Sequence, residues 1–346
     1  MKKHDLLDAR EEKLKFIENF VDSNHIVITI KANIPGIDKN IKEAYILCHL
    51  FSSLISKKFI YEKVIHQETV DGPMIYFILE PQDIVYIKKQ LIIFEDSHPL
   101  GLFVDLDCYD GPHSISRNHL NQNLRSCYLC DQPAVICARE HRHTHEELIN
   151  YIKTQVISYL HEKLSALIQY AMLEELNFEP KFGCVSASSS GSHHDMDVEV
   201  MKSTIPMIIS YGLNIFDLGL DHHVHLIQQA RMLGQETEKK MFDHTHGINT
   251  YKGLIFLLGF FMLSLSKVLT SFSNKSLFEH MIELADPIKE DFIHPDDTQG
   301  MKAYKQYHML GVRGEVLSGL STLRKVIKKY PYQTSIDSHQ LLHVFV

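Results

Sequence analysis

EELINYIKTQVISYLHEKLSALIQYAMLEEL, residues 146–176, decides how the chain divides. It holds no glycine or proline, and Leu148, Ile149, Ile152, Val156, Ile157, Leu160, Leu164, Leu167, Ile168 and Met172 recur at helical spacing. The spacing predicts one long helix. Upstream, short apolar runs broken by turn residues predict helices over 5–22 and 41–55. Strands are expected over 25–30, 60–66, 74–79, 90–95 and 101–107. Downstream, helical patterns recur over 196–215, 222–233, 252–269, 276–288 and 302–329. The expectation is an α+β N-terminal domain over residues 1–150 and an all-α C-terminal domain over 151–346.

A chain of 346 residues has room for two ordinary cores, and 45% hydrophobic against 23% charged residues is a globular balance. A net charge of −8 argues against a general nucleic-acid binder. The start, Met1-Lys2-Lys3-His4-Asp5, lacks the apolar stretch of a secretory signal, and the Cys127-x-x-Cys130 pair suits a reducing compartment, so a cytoplasmic location is expected. The most apolar run, Leu254 to Ser266, is shorter than the roughly 20 residues of a membrane-spanning helix and reads as a buried one, with no membrane partner.

Four groups of residues suggest chemistry. Asp105 and Asp107 lie two apart on an expected strand, so both carboxylates leave one face and can hold Mg²⁺, with Gly101 upstream permitting a phosphate chain to approach. Alternating polar positions on a half-exposed strand give the same pattern. Cys127, Cys130, Cys137 and His143 have the residue types and closeness of a tetrahedral Zn²⁺ site, the alternative being ordinary buried thiols. Arg117, Arg125, Arg139 and Arg142 surround them and suit phosphate recognition. Finally, Gly191-Ser192-His193-His194-Asp195-Met196-Asp197 follows a small-residue run where a loop should enter a helix, and either serves a phosphate or metal or simply supplies Asp195 as a helix cap.

Arg10-Glu11-Glu12-Lys13, His98-Pro99-Leu100-Gly101, Asp105-Leu106-Asp107, Ser116-Arg117 and the run from Arg125 through Cys127, Cys130, Cys137 and Arg139 to His143 together resemble the holo-citrate lyase synthases. These are the apo-citrate lyase phosphoribosyl-dephospho-CoA transferases. The resemblance covers about residues 5–150. It implies a nucleotidyltransferase-like domain that moves phosphoribosyl-dephospho-CoA to a serine of the apo-citrate lyase acyl carrier protein, with pyrophosphate leaving. Asp105 and Asp107 would hold Mg²⁺, and Arg117 and Arg139 would clamp phosphates. Leu102 departs from the family, which usually has arginine after the glycine.

A second ordered series runs through Lys181, Gly191, His193, Asp195, Asp197, Asn249, Lys252, Arg313 and Glu315. It resembles the triphosphoribosyl-dephospho-CoA synthases, which join ATP to dephospho-CoA with loss of adenine. The resemblance covers about residues 155–346 and implies carboxylate or metal roles for Asp195 and Asp197. Lys181, Gly191, His193, Asn249, Lys252, Arg313 and Glu315 would contact substrate or phosphates, with Glu238 a further acidic candidate. Asn249 could equally cap a helix. Phe182, Ser186, His194 and Tyr251 depart from the family, and Leu341 to Val346 stand where family members continue, so an incomplete synthase end is expected. The whole reading is a transferase that makes and attaches the citrate lyase prosthetic group. The alternatives are a degenerate, non-catalytic binder of dephospho-CoA, nucleotide or carrier protein, and a zinc-stabilised interaction module.

Overall fold

The computed structural model describes residues 3–329 except 112, 180, 182, 222–223 and 294–297. Phe182 and the run Leu341 to Val346 lie outside the described residues. In the N-terminal part, α1 (Lys3–Val21), β1 (Ile26–Ala32), α2 (Lys42–Lys58), β2 (Lys63–Thr69), β3 (Gly72–Leu79), α3 (Ile84–Ser97) and β4 (Val104–Tyr109) follow one another. The strands form one antiparallel sheet in the order β2-β3-β1-β4. Alternation puts Val27 of β1, Met74, Tyr76 and Ile78 of β3, and Tyr109 of β4 on one face, where they pack with Ile17 and Phe16 of α1. β3 is buried at every position and β1 at all but Lys31, as a central pair covered on both faces must be.

The strand expected over 90–95 is instead the second half of α3. Asp83 caps that helix, accepting from the amides of Val85 and Tyr86. Ile87, Lys88, Leu91, Ile92 and Glu95 make one buried stripe at helical spacing. The adjacent β-branched pair Ile92 and Ile93 gives the segment its strand-like appearance. Between α3 and β4 the chain makes a single 3₁₀ turn, Gly101–Phe103.

After β4 come a short α4 (Ala134–Arg139) and α5 (His145–Asn177), the long helix expected over 146–176. The rest is helical: α6 (Val198–Leu220), α7 (Leu226–His244), α8 (Lys252–Leu269), α9 (Leu277–Leu284), α10 (Lys289–Ile293), α11 (Gln299–Tyr307), α12 (Gly311–Leu317) and α13 (Ser321–Lys329). Two compact units divide within α5, between Leu160 and His161, with Leu269–Phe272 joining the first. In the second unit α6 lies close to its neighbours at glycines. A Cβ on Gly212 would come within 2.8 Å of Ile168 Cδ1, one on Gly219 within 2.1 Å of Ser266 Oγ, and one on Gly259 within 2.5 Å of the Tyr211 hydroxyl. α8 is long and apolar enough to cross a membrane by length and composition, and 50% of it is buried within the protein.

The single helical pattern expected over 302–329 is three helices. His308 takes a left-handed conformation (φ 56°) after α11, and Gly319 (φ 62°) and Leu320 (φ 55°) do so after α12. Each ends its helix in the way a left-handed residue does.

Candidate active sites

Asp105 and Asp107 leave β4 on the face that α1 covers. In the register with β1, Lys31 stands opposite Asp105 and Thr29 opposite Asp107. Buried Lys88 donates from Nζ to Asp107 Oδ1 at 3.0 Å and to the Leu106 carbonyl at 2.7 Å. Arg125 donates from Nη2 to Asp105 Oδ1 at 2.9 Å and from Nη1 to the Val104 carbonyl at 2.9 Å. Both cations therefore bind β4 through one aspartate and one backbone oxygen.

Glu95, 3% exposed, joins these contacts. Its Oε1 accepts the Leu106 amide at 2.9 Å and pairs with Arg125, while Oε2 accepts from Arg117 Nη2 at 2.7 Å. Arg117 also reaches Asp96 at 2.7 Å. Burial pushes the Glu95 carboxyl up, against the opposing pull of Arg125 and Arg117. Burial likewise brings the Lys13 ammonium of α1 below its usual range, although Asp107 and Asp105 favour its charge. Lys88 and Glu95 escape a reading of motifs: Glu95 lies in the segment whose pattern looks like a strand, and Lys88 just before it.

Two cavities adjoin this network. One of about 230 Å³ is lined by Glu95, Asp96, Gly101, Leu102, Arg117 and Arg125. The other, about 330 Å³, is lined by Lys39, Leu102, Arg125, Tyr128, His141 and His145 among others. Arg139 is exposed on α4 and lines neither. Gly101 also has a packing reason: a Cβ there would sit 2.0 Å from the Glu95 carbonyl oxygen, so the glycine lets the 3₁₀ turn lie close to α3.

Beyond Arg125 the chain turns back as a tight hairpin, with Cys127 N donating to the Gln132 carbonyl and Ala134 N to the Arg125 carbonyl. The hairpin brings Cys127, Cys130, Cys137 and His143 together, their ligand atoms all within 4.8 Å of one another. Burial alone would raise the Cys127 thiol, but amide hydrogen bonds from Leu129 and Cys130, with the neighbouring sulfurs, hold it below its ordinary value. Burial and the Cys127 and Cys130 sulfurs push the Cys137 thiol up to about 12.

In the second unit the expected residues do not converge on one place. Asp197 caps α6, accepting from the amides of Glu199 at 3.0 Å and Val200 at 2.9 Å; the capping proposed for Asp195 thus belongs to Asp197, which stands immediately before the first helical residue. Asp195 is exposed, with His193 Nδ1 3.9 Å away. Gly191 has φ 63°, and a Cβ there would lie 2.6 Å from the Cys184 carbonyl oxygen, so its turn requires a glycine. Lys181 binds Glu175 at 2.9 Å and the Val185 carbonyl at 3.0 Å, and Glu315 accepts from the Thr322 amide at 3.2 Å. Asn249 Oδ1 accepts the Lys252 amide at 3.1 Å, as a helix cap does.

Lys252 and Arg313, however, line a common cavity of about 180 Å³ with Arg231, Glu238 and Asp291. Lys252 Nζ lies 2.8 Å from Glu238, and Asp291 is held between Arg231 at 3.0 Å and Arg313 at 3.1 Å. Arg313 also lies over the Phe256 ring, 5.9 Å from its centroid. Three cations and two carboxylates thus share an apolar-walled cleft. Arg231 and Asp291 belong to no recognisable motif; only the fold unites them.

Residues 1–159 match the family model described as apo-citrate lyase phosphoribosyl-dephospho-CoA transferase, and residues 161–342 match that of ATP:dephospho-CoA triphosphoribosyl transferase. The chain belongs to both families, in tandem. It is 26% identical to Protein CitXG of Haemophilus influenzae over 97% of this chain and 78% of the relative. It is also 26% identical to Protein CitXG of Leuconostoc mesenteroides subsp. cremoris, over 91% and 74% respectively. A 2-(5''-triphosphoribosyl)-3'-dephosphocoenzyme-A synthase of Haemophilus ducreyi is 25% identical over 58% of this chain and 70% of the relative. The transferase unit thus contains the β4 network, and the synthase unit contains the cleft of Glu238, Lys252, Asp291 and Arg313. Both are transferase families, and their tandem makes and attaches the citrate lyase prosthetic group.

Proposed function

We propose that the transferase unit works on the β4 face, moving phosphoribosyl-dephospho-CoA from its triphosphate form to a serine of the apo-citrate lyase acyl carrier protein. The serine Oγ bonds to the α-phosphorus as the bond to pyrophosphate breaks, and Asp105, the more exposed aspartate, receives the hydroxyl proton. Lys88, Arg117 and Arg125 offset the charge on the phosphates; phosphoryl transfer asks chiefly for such positioning and neutralisation. Asp105 and Asp107 suit Mg²⁺, being hard oxygen donors on one strand face with each Oδ2 outside the bonds to Arg125 and Lys88. When bound, the ion would supply further neutralisation of the triphosphate.

The synthase unit, which supplies that triphosphate, uses its cleft for substitution at the anomeric carbon of ATP: the bond to adenine breaks, a bond to a dephospho-CoA hydroxyl oxygen forms, and the hydroxyl proton ends on the departing adenine. Glu238 and Asp291 face the positive charge that develops on the ribose, and Arg231, Lys252 and Arg313 take the triphosphate. The six cysteines, all free, suit a cytoplasmic setting.

One observation carries the transferase reading: two aspartates and three cations converge where β4 follows α3. It is tested by the mass of purified apo carrier protein incubated with Mg²⁺ and preformed triphosphoribosyl-dephospho-CoA. The wild-type chain should add the prosthetic group, and Asp105→Asn should not. Replacing the preformed compound with ATP and dephospho-CoA tests the synthase unit. Calorimetric binding of dephospho-CoA with no mass gain under either condition would establish the non-catalytic alternative.

A further inference from the structure

We propose that Cys127, Cys130, Cys137 and His143 bind one structural Zn²⁺ that fixes the hairpin carrying Arg125 and Tyr128. The geometry is already close to a zinc site. With Zn–S and Zn–N bonds of ordinary length, a tetrahedron has edges of roughly 3.8 Å between sulfurs and roughly 3.6 Å between sulfur and nitrogen. Cys127 and Cys137 Sγ are 3.4 Å apart, as are Cys130 Sγ and His143 Nε2, and no pair in the set exceeds 4.8 Å. A small expansion centres a cation among them. A disulfide would instead need a separation of about 2.05 Å, and both cysteines are free.

The donor set selects the metal. Three soft thiolates and an imidazole in a tetrahedron suit zinc, and four protein ligands leave no open coordination position, which marks a structural site rather than a catalytic one. Binding replaces three thiol protons, released to solvent, and leaves a net charge of −1 beside the ion pair of Arg142 and Glu140.

The arrangement of the hairpin gives the ion its role. Arg125 immediately precedes the ligand loop and binds Asp105 and Glu95, while Tyr128, between the first two ligands, donates to the Asn33 carbonyl at 2.6 Å. Among the described residues the segment from Arg125 to Arg142 forms only one short helix, α4. A cross-link at its base holds both side chains against the sheet.

The full chain, purified in reductant without chelator, should contain stoichiometric zinc by elemental analysis, and Cys130→Ser and Cys137→Ser should reduce it to background. Cobalt exchanged into the wild-type chain should give the thiolate charge-transfer band and the visible bands of a tetrahedral site, so the inference does not depend on the variants folding. A wild-type chain that holds no zinc and gives no such cobalt spectrum would overturn it. So would peptide mapping of the native protein that finds Cys127 and Cys137 joined as a disulfide.

Discussion

Glu95 holds Arg125 against β4: one carboxylate oxygen of a residue near the end of α3 takes both the arginine and the Leu106 amide of the strand. Because Glu95 is buried and also pairs with Arg117, its loss would leave two guanidiniums without their shared anion. Glu95→Ala should destabilise the transferase unit by about 3–5 kcal/mol in urea unfolding. A loss below about 1 kcal/mol would mean the arginines find other partners as good.

Gly101 and Gly111 make a matched pair. A methyl on Gly101 meets the Glu95 carbonyl oxygen at 2.0 Å, while one on Gly111 meets nothing within 4 Å. Gly101→Ala should cost about 3 kcal/mol, through displacement of the turn from α3. Gly111→Ala should stay within about 0.5 kcal/mol. Chemical denaturation of the two variants side by side distinguishes a steric requirement from a general intolerance of alanine on either side of β4.

In the synthase unit, capping and chemistry can be separated. Asp197→Ser keeps an acceptor for the α6 amides and should leave both stability and triphosphoribosyl-dephospho-CoA formation near wild type, whereas Asp197→Ala should cost about 1 kcal/mol. Glu238→Gln should leave the fold intact and slow formation by about a hundredfold or more. Chromatographic assay of adenine release checks both; a collapse of activity in Asp197→Ser would return that carboxylate to the chemistry.

His280 makes acid stability informative. Burial holds its imidazole below the ordinary 6.5, against the pull of Glu283, and its Nε2 is buried without a hydrogen-bond partner. As pH falls through 6.5 the unfolded chain takes up this proton more readily than the native one. The stability contribution is therefore present above 6.5 and lost as pH falls towards the native value. Urea midpoints at neutral and mildly acidic pH should fall more steeply for wild type than for His280→Leu. Parallel slopes would show that other groups set the acid response.

The long helix over 146–176 and the helical character of everything after it were legible because they depend only on local spacing. So were β1, β3 and β4, whose alternation matched a sheet buried on one face or both. The second half of α3 reads as a strand because Ile92 and Ile93 have strand propensity, and only the tertiary burial of Leu91 and Glu95 reveals its period. Motifs located Asp105, Asp107 and the cysteine-histidine set, which are close in sequence. The cleft of Glu238, Lys252, Asp291 and Arg313 draws on residues tens of positions apart, and no spacing rule joins them. Capping accounts for Asp197 and Asn249 in the structure, a use of polar side chains that looks the same as catalysis until the helices are in place.

Leu102, 38% exposed, stands on the common wall of the two cavities beside β4. Arg117 and Arg125 already crowd the same rim around one buried carboxylate. A third guanidinium would raise the repulsion there, so the leucine makes this rim less cationic. Transfer by this chain should accordingly fall when either arginine is removed, and what remains should depend less steeply on added salt, because fewer charge contacts are left to screen.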